Sequence, residues 1–276
     1  MFKFNFNIEE DPEGVSKEEK SKEKEAAEKS SASVLGFEKI IPFKHPSLGH
    51  KDYDNSFSIF TSHDMEIRIL DRGVEEEELD KQEETHSDLI PGTYEGGFKI
   101  WECTQDLADF LQDNLKDELE GKNVLDLGCG AGILGMMALK LGAVKCHFHD
   151  YNKDVLEKFT IPNIHLNTEG DEKISIDKCE FISGDWEAYT EATDDTFDVI
   201  LTSETIYNPA NNRKLINLFM RKLKKGGKIL LAAKTYYFGV GGGLRQFEEL
   251  LEGKLKSEVV WKNKDGVMRE IIKIEH

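Results

Sequence analysis

Proline and cysteine are scarce in this 276-residue chain, and cations are short against anions. Six prolines beside 23 glycines exclude a proline-rich or collagen-like polymer. The four cysteines, Cys103, Cys129, Cys146 and Cys179, form no C-x-x-C pair and have no histidine cluster at zinc spacing. They read as reduced thiols of an intracellular protein, neither a disulfide framework nor a metal site. No apolar run approaches the ~18 residues of a membrane span. The opening MFKFNFNIEEDPEG has no apolar core and turns acidic at once, unlike a secretory leader. With 36 basic against 54 acidic residues the formal net charge is −18. A general nucleic-acid binder needs a basic face. This balance suits instead a partner that is itself basic, whose approach the field would steer.

Along the chain, residues 1–33 read as a charged, solvated tail rich in Glu, Lys, Ser and Ala. Within it Phe2, Phe4 and Phe6 alternate with polar residues, the period of a short strand or a docking peptide. Residues 34–85 form an N-terminal extension, in which 57–70 can make a strand or two before an acidic linker at 75–84. From residue 86 the pattern is that of one α/β domain running to 276. Leu107, Phe110, Leu111 and Leu115 have helical spacing, closed by Gly121. Apolar runs at 124–127, 146–149, 180–182, 199–202 and 229–233 then alternate with helical stretches. That alternation predicts a parallel sheet with helices on both faces. Two further strands, 257–262 and 267–274, are joined by Asn263-Lys264-Asp265-Gly266, which predicts an antiparallel hairpin. The basic stretch 221–228 reads as a helix end.

The segment VLDLGCGAGILG at 124–135 carries the chemistry. An apolar strand ends in Asp126, and a turn with Gly128, Gly130 and Gly132 leads into a helix. Glycines allow a tight turn and close approach of a ligand to the backbone, and the helix start offers free N–H groups. Gly130-x-Gly132-x-x-Gly135 matches the dinucleotide fingerprint literally. The same segment is also the Asp-x-Gly-x-Gly-x-Gly of S-adenosylmethionine sites. Asp126 favours the second reading: a carboxylate suits a cationic ligand and would repel a pyrophosphate.

The other strand ends add polar groups. Asp150 lies 20 residues after Gly130, the spacing at which an acid meets ribose hydroxyls. Alternatively it caps the next helix, where Asn152 also stands. Gly184-Asp185-Trp186 closes the third strand, with an acid for an adenine amino group and an indole to cover a base. The fourth strand ends in TSETIYNP, where Ser203, Glu204, Tyr207 and Asn208 crowd the edge that carries active sites in open α/β sheets. Asn208-Pro209 also fits a turn and helix cap. The loop YYFGVGGG at 236–243 has the glycines of a mobile or closely approached backbone. Upstream, Trp101 and Glu102 stand where they can cap the ligand.

Taken together, HSDLIPGTYEGGFKIWECT, VLDLGCGAGILG, HFHDYN, SGDW, LTSETIYNP and YFGVGGG resemble the histidine protein methyltransferases, a branch of the seven-stranded methyltransferases. The resemblance covers 86–243 closely and extends to 274. It implies a Rossmann-like seven-stranded sheet, mostly parallel with a C-terminal antiparallel hairpin, helices on both faces, and S-adenosylmethionine as cofactor. It implies methyl transfer to a ring nitrogen of a protein histidine, in a basic large-subunit ribosomal protein. A monomer in cytoplasm or nucleus is the default expectation. Ile100, Trp101, Glu102, Cys103 and Thr104 would wrap the cofactor; Asp126, Gly128 and Gly130 would hold its methionine end. Asp150, Tyr151 and Asn152 would lie at the ribose, and Gly184, Asp185 and Trp186 at the adenine, with Ser203 closing the site. Glu204, Tyr207 and Asn208 would orient the acceptor ring. The competing readings are a protein-lysine methyltransferase of the same fold, a nicotinamide-dependent oxidoreductase and a catalytically silent adaptor.

Overall fold

Five apolar stretches pair side by side in parallel: β4 (Asn123–Leu127), β5 (Lys145–Asp150), β6 (Cys179–Ser183), β7 (Phe197–Ser203) and β8 (Leu223–Lys234). The computed structural model describes residues 36–42, 57–71, 96–168, 171–239 and 241–276. The tail at 1–33 and the acidic linker at 75–84 lie outside the described residues. The strand order is β1-β6-β5-β4-β7-β8-β10-β9. The chain runs outward from β4 through β5 to β6, then returns to β7 on the other side of β4. This reversal opens a crevice at the carboxyl ends of β4 and β7, where α/β sheets bind ligands.

The expected hairpin is present as β9 (Lys256–Lys262) and β10 (Arg269–Glu275). β10 inserts antiparallel between β8 and β9, so β9 again points the way of the parallel set. The sheet has eight strands, one more than expected. The extra one is β1 (Glu38–Ile40), which pairs antiparallel with β6 and extends the sheet beyond it. Three residues are too few to show a period, which is why the sequence gives no sign of this strand. The stretch 57–70 makes a separate hairpin, β2 (Phe57–Ser62) and β3 (Met65–Leu70).

Two boundaries also move. The first helix, α1 (Glu102–Leu115), stops six residues before Gly121, whose N–H instead bonds the Gly142 carbonyl at 3.0 Å. The basic stretch contributes only its first two residues to a helix. The strand β8 begins at Leu223, and its Lys224 and Lys228 pair sideways with Asp198 and Glu118.

Alternation along the central strands divides the core. Val124, Leu230, Ala232 and Ile271 pack on one face, with α1 and α2 (Ile133–Lys140). Leu125, Leu127, Leu231, Ile272 and Ile274 pack on the other. That face is covered by α5 (Trp186–Ala192), α6 (Asn212–Lys222) and α7 (Leu244–Leu251). Burial on both faces explains why these strands read as continuous apolar runs. Between β5 and β6 the chain forms a short turn α3 (Lys153–Val155), a π segment (Leu156–Thr160) and α4 (Ile161–Thr168).

Candidate active site

The carboxyl ends of β4, β5, β6 and β7 and the start of α1 surround a cavity of about 290 Å³. Its wall contains Ile100, Trp101, Thr104, Asp126, Gly128, Gly130, Asp150, Tyr151, Asp185, Trp186, Ser203, Glu204, Tyr207 and Asn208. The sequence motifs, spread over more than a hundred residues, therefore converge on one place. Four of the named residues stand just behind the wall. Glu102 turns outward to Lys234, 3.3 Å away, and Cys103 is fully buried under the helix start. Asn152 donates its N–H to Asp150 Oδ1 at 3.1 Å, and Gly184 lies behind Asp185.

The glycine turn is shaped by crowding. Gly130 has φ +51°, and a Cβ there would lie 2.9 Å from the Gly97 carbonyl oxygen. Its N–H bonds Asp150 Oδ2 at 3.1 Å, so the glycine loop and the second strand end are fastened together. Asp126, 1% exposed, accepts the Gly135 N–H at 2.8 Å. Burial pushes its carboxyl up to about 8, against the pull of that N–H and with a further push from Asp150. At neutral pH its charge is thus held back until a cation arrives.

Asp185 uses both oxygens: Oδ1 caps α5 through the Glu187 N–H, and Oδ2 accepts from Lys214, each at 2.8 Å. Asn208 also caps, accepting the Ala210 N–H at 3.1 Å, while remaining in the wall. The Thr104 and Ser203 hydroxyls meet at 2.9 Å, joining α1 to β7.

Glu204 is unlike the rest. It is 6% exposed, its φ is +57°, and neither carboxylate oxygen accepts a hydrogen bond of ordinary geometry. Burial, then the Glu204 charge and hydrogen bonding toward it, hold the neighbouring Cys103 thiol and Tyr237 phenol in their neutral forms. Tyr207 meets Tyr237 edge-on at 6.5 Å. A left-handed, buried carboxylate costs stability, and strain of this kind concentrates at functional positions.

Sequence reasoning missed Lys99, Thr205, Asn211 and Lys214, which also line the cavity. Thr205 stands within the TSETIYNP motif itself, between Glu204 and Tyr207; Lys99, Asn211 and Lys214 stand in no strand-end motif. Lys214 comes from α6, whose approach to Asp185 depends on tertiary packing.

The wall fits S-adenosylmethionine. It presents buried acids at three strand ends and aromatic faces at Trp101, Tyr151, Trp186 and Tyr207. It holds no arginine; of its two lysines, Lys214 pairs with Asp185 and Lys99 lies over the Trp101 ring at 4.7 Å. A pyrophosphate would lie among Asp126, Asp150 and Asp185, which disfavours the dinucleotide reading.

A family model described as "Lysine methyltransferase" matches residues 75–238. A Dictyostelium discoideum protein named "Histidine protein methyltransferase 1 homolog" is 46% identical over 193 residues, covering 68% of this chain and 60% of that protein. The Bos taurus protein of the same name is 45% identical, covering 63% and 53%. This chain belongs to the histidine protein methyltransferase family. It spans between about half and two thirds of the length of these curated relatives. Among solved structures, one described as a SAM-dependent methyltransferase of Streptococcus mutans aligns with TM-score 0.54 at 14% identity, covering 80% of this chain and 55% of that one. Another methyltransferase structure, complexed with SAH, gives TM-score 0.54 at 14% identity, covering 93% and 66%. These two share the fold.

Proposed function

We propose that this protein transfers the methyl group of S-adenosylmethionine to an imidazole nitrogen of a histidine in another protein. The observation that carries the reading is Glu204, a buried carboxylate with unused hydrogen-bonding capacity, facing the cavity at the end of β7. The names of the relatives support the choice of histidine.

Bound in the cavity, S-adenosylmethionine supplies an electrophilic methyl on a positively charged sulfur. Asp126 and the glycine loop would hold its amino-acid end, Asp150 the ribose, and Asp185 with Trp186 the adenine. A histidine has an ordinary pKa of about 6.5, so near pH 7 its ring is mostly neutral. One nitrogen then has a lone pair and the other an N–H. Glu204 accepts that N–H, which fixes the tautomer and aims the lone pair at the methyl. As the nitrogen–carbon bond forms, the methyl–sulfur bond would break with its electron pair kept by sulfur, leaving S-adenosylhomocysteine; the ring is then cationic, and Glu204 holds that charge and receives the surplus proton. Tyr207 and Asn208 border the ring. Most of the acceleration comes from alignment.

The acceptor is a basic protein of the class found in the large ribosomal subunit, and the net charge of −18 supports this choice. We place the enzyme, as a monomer, in cytoplasm or nucleus. Lysine is the second reading, favoured by the description of the family model. The test is incubation with methyl-labelled S-adenosylmethionine and ribosomal proteins from cells lacking the enzyme, followed by hydrolysis. Labelled methylhistidine is the expected product. Labelled methyllysine would move the function to the second reading, and absence of label despite cofactor binding would leave a silent adaptor.

A further inference from the structure

The helical region after β5 carries a buried polar stripe where an apolar one is expected. Thr160, Asn163 and Asn167 recur at helical spacing on one face, and all three are buried. A π segment, Leu156–Thr160, immediately precedes α4 and changes the phase of the helix. Thr160 is its last residue. The Thr160 hydroxyl donates to the Gly130 carbonyl at 2.6 Å, and Asn163 Nδ2 donates to the Ala131 carbonyl at 3.0 Å. Two successive carbonyls of the glycine loop are therefore drawn away from the cavity and into this helix. A trans peptide points its N–H opposite its C=O. Holding the Gly130 carbonyl thus turns the Ala131 N–H to the other side, and Gly130 and Ala131 line the cavity whereas Thr160 and Asn163 do not.

The same asparagines hold the separate hairpin. Leu70 N–H donates to Asn163 Oδ1 at 2.9 Å. Asn167 accepts from Arg68 N–H at 2.9 Å and donates to Arg68 O at 2.7 Å, replacing the strand that β3 lacks on that edge. Asn163 is therefore bonded at one end to the hairpin and at the other to the glycine loop.

We propose that Thr160 and Asn163 are positioning residues for the cofactor: through two side-chain hydrogen bonds they fix the peptide planes of the glycine loop that S-adenosylmethionine contacts. The proposal rests on the cofactor reading and is independent of the acceptor. A glycine loop has the widest conformational freedom in a chain, and without these donors its carbonyls are free to turn toward the ligand.

The test is calorimetric titration of the full-length protein with S-adenosylmethionine and S-adenosylhomocysteine, with thermal unfolding measured on each variant. Thr160→Val keeps the shape and removes the donor. It is expected to weaken both ligands about tenfold, and Thr160→Ser is expected to restore them to within twofold. Asn163→Leu is expected to weaken them similarly. Should Thr160→Val fail to fold, Thr160→Cys against Thr160→Ser makes the same comparison, with a weak donor set against a strong one. Unchanged affinity in the valine or cysteine variant would overturn the proposal. So would a serine variant no better than valine, since the methyl packing would then be what matters. A wild-type protein that bound neither ligand would defeat the cofactor reading itself.

Discussion

Lys234 Nζ lies 3.7 Å from Glu204 Oε1, close enough to offset its charge and too far to hydrogen-bond it. The same ammonium is 3.3 Å from Glu102 and stands over the Trp101 ring at 5.7 Å. The buried carboxylate is thus electrically compensated while its lone pairs stay available, as a group that must receive an N–H from an incoming ring requires.

Glu204 stores two costs, its left-handed backbone and the burial of its carboxylate. Glu204→Gly should remove both, raising unfolding stability by about 1–3 kcal/mol. It should lower turnover at least about a hundredfold while cofactor affinity stays within a few-fold. Thermal unfolding and single-turnover methylation measure the pair. A variant both less stable and fully active would show that Glu204 is a packing residue.

Asp126 makes the cofactor-free protein sensitive to alkali. Its carboxyl is raised from 3.8 to about 8, so between those values the folded state keeps a proton that the unfolded state releases. Stability should therefore fall as pH rises from about 4 to about 8. Asp126→Asn should flatten that slope and weaken S-adenosylmethionine. Calorimetry near pH 7 in buffers of different ionisation enthalpy should show proton release on binding in the wild type and none in the variant.

His147 and His149 act in the opposite direction. Burial lowers both to about 4. The unfolded chain protonates them first, so the stability they leave intact above about 6.5 is lost as pH falls toward 4. His149 stacks on Tyr189 at 5.0 Å and neither of its ring nitrogens has a hydrogen-bond partner. His149→Leu should shift the acid unfolding midpoint to lower pH, read by circular dichroism. An unchanged midpoint would exclude His149 as a cause of acid sensitivity.

The parallel strands and the terminal hairpin were legible because both faces of the sheet are apolar and Asp265-Gly266 marks a turn. Asp126, Asp150 and Glu204 were legible because each ends a strand. Lys214 was not, because its place depends on how α6 packs against α5, whose N-cap is Asp185. Thr160 and Asn163 were also hidden: a polar stripe on a buried helix face looks like a solvated one until the glycine loop is seen against it. Strand β1 was hidden for a third reason, since its pairing with β6 is a long-range contact with no local pattern.

That strand brings Phe37 onto Tyr189, with stacked rings 5.9 Å apart. It also sets the Gly36 carbonyl 2.7 Å from where a Cβ of Gly184, at φ +131°, would stand, next to Asp185. Phe37→Ala should cost about 1 kcal/mol of stability and weaken S-adenosylmethionine a few-fold by loosening that turn. Unchanged affinity would confine Phe37 to packing.

β1 also has a consequence for how copies of the protein meet. An open sheet ends in rows of unpaired backbone groups that invite another chain to add a strand. Here the β6 side ends in a strand of only three residues with Glu38 and Lys39 exposed, and the β9 side carries exposed Lys256 and Lys262. A second molecule approaching either margin would meet a short ladder or a charge it would have to strip of water, and both disfavour growth of the sheet past its ends.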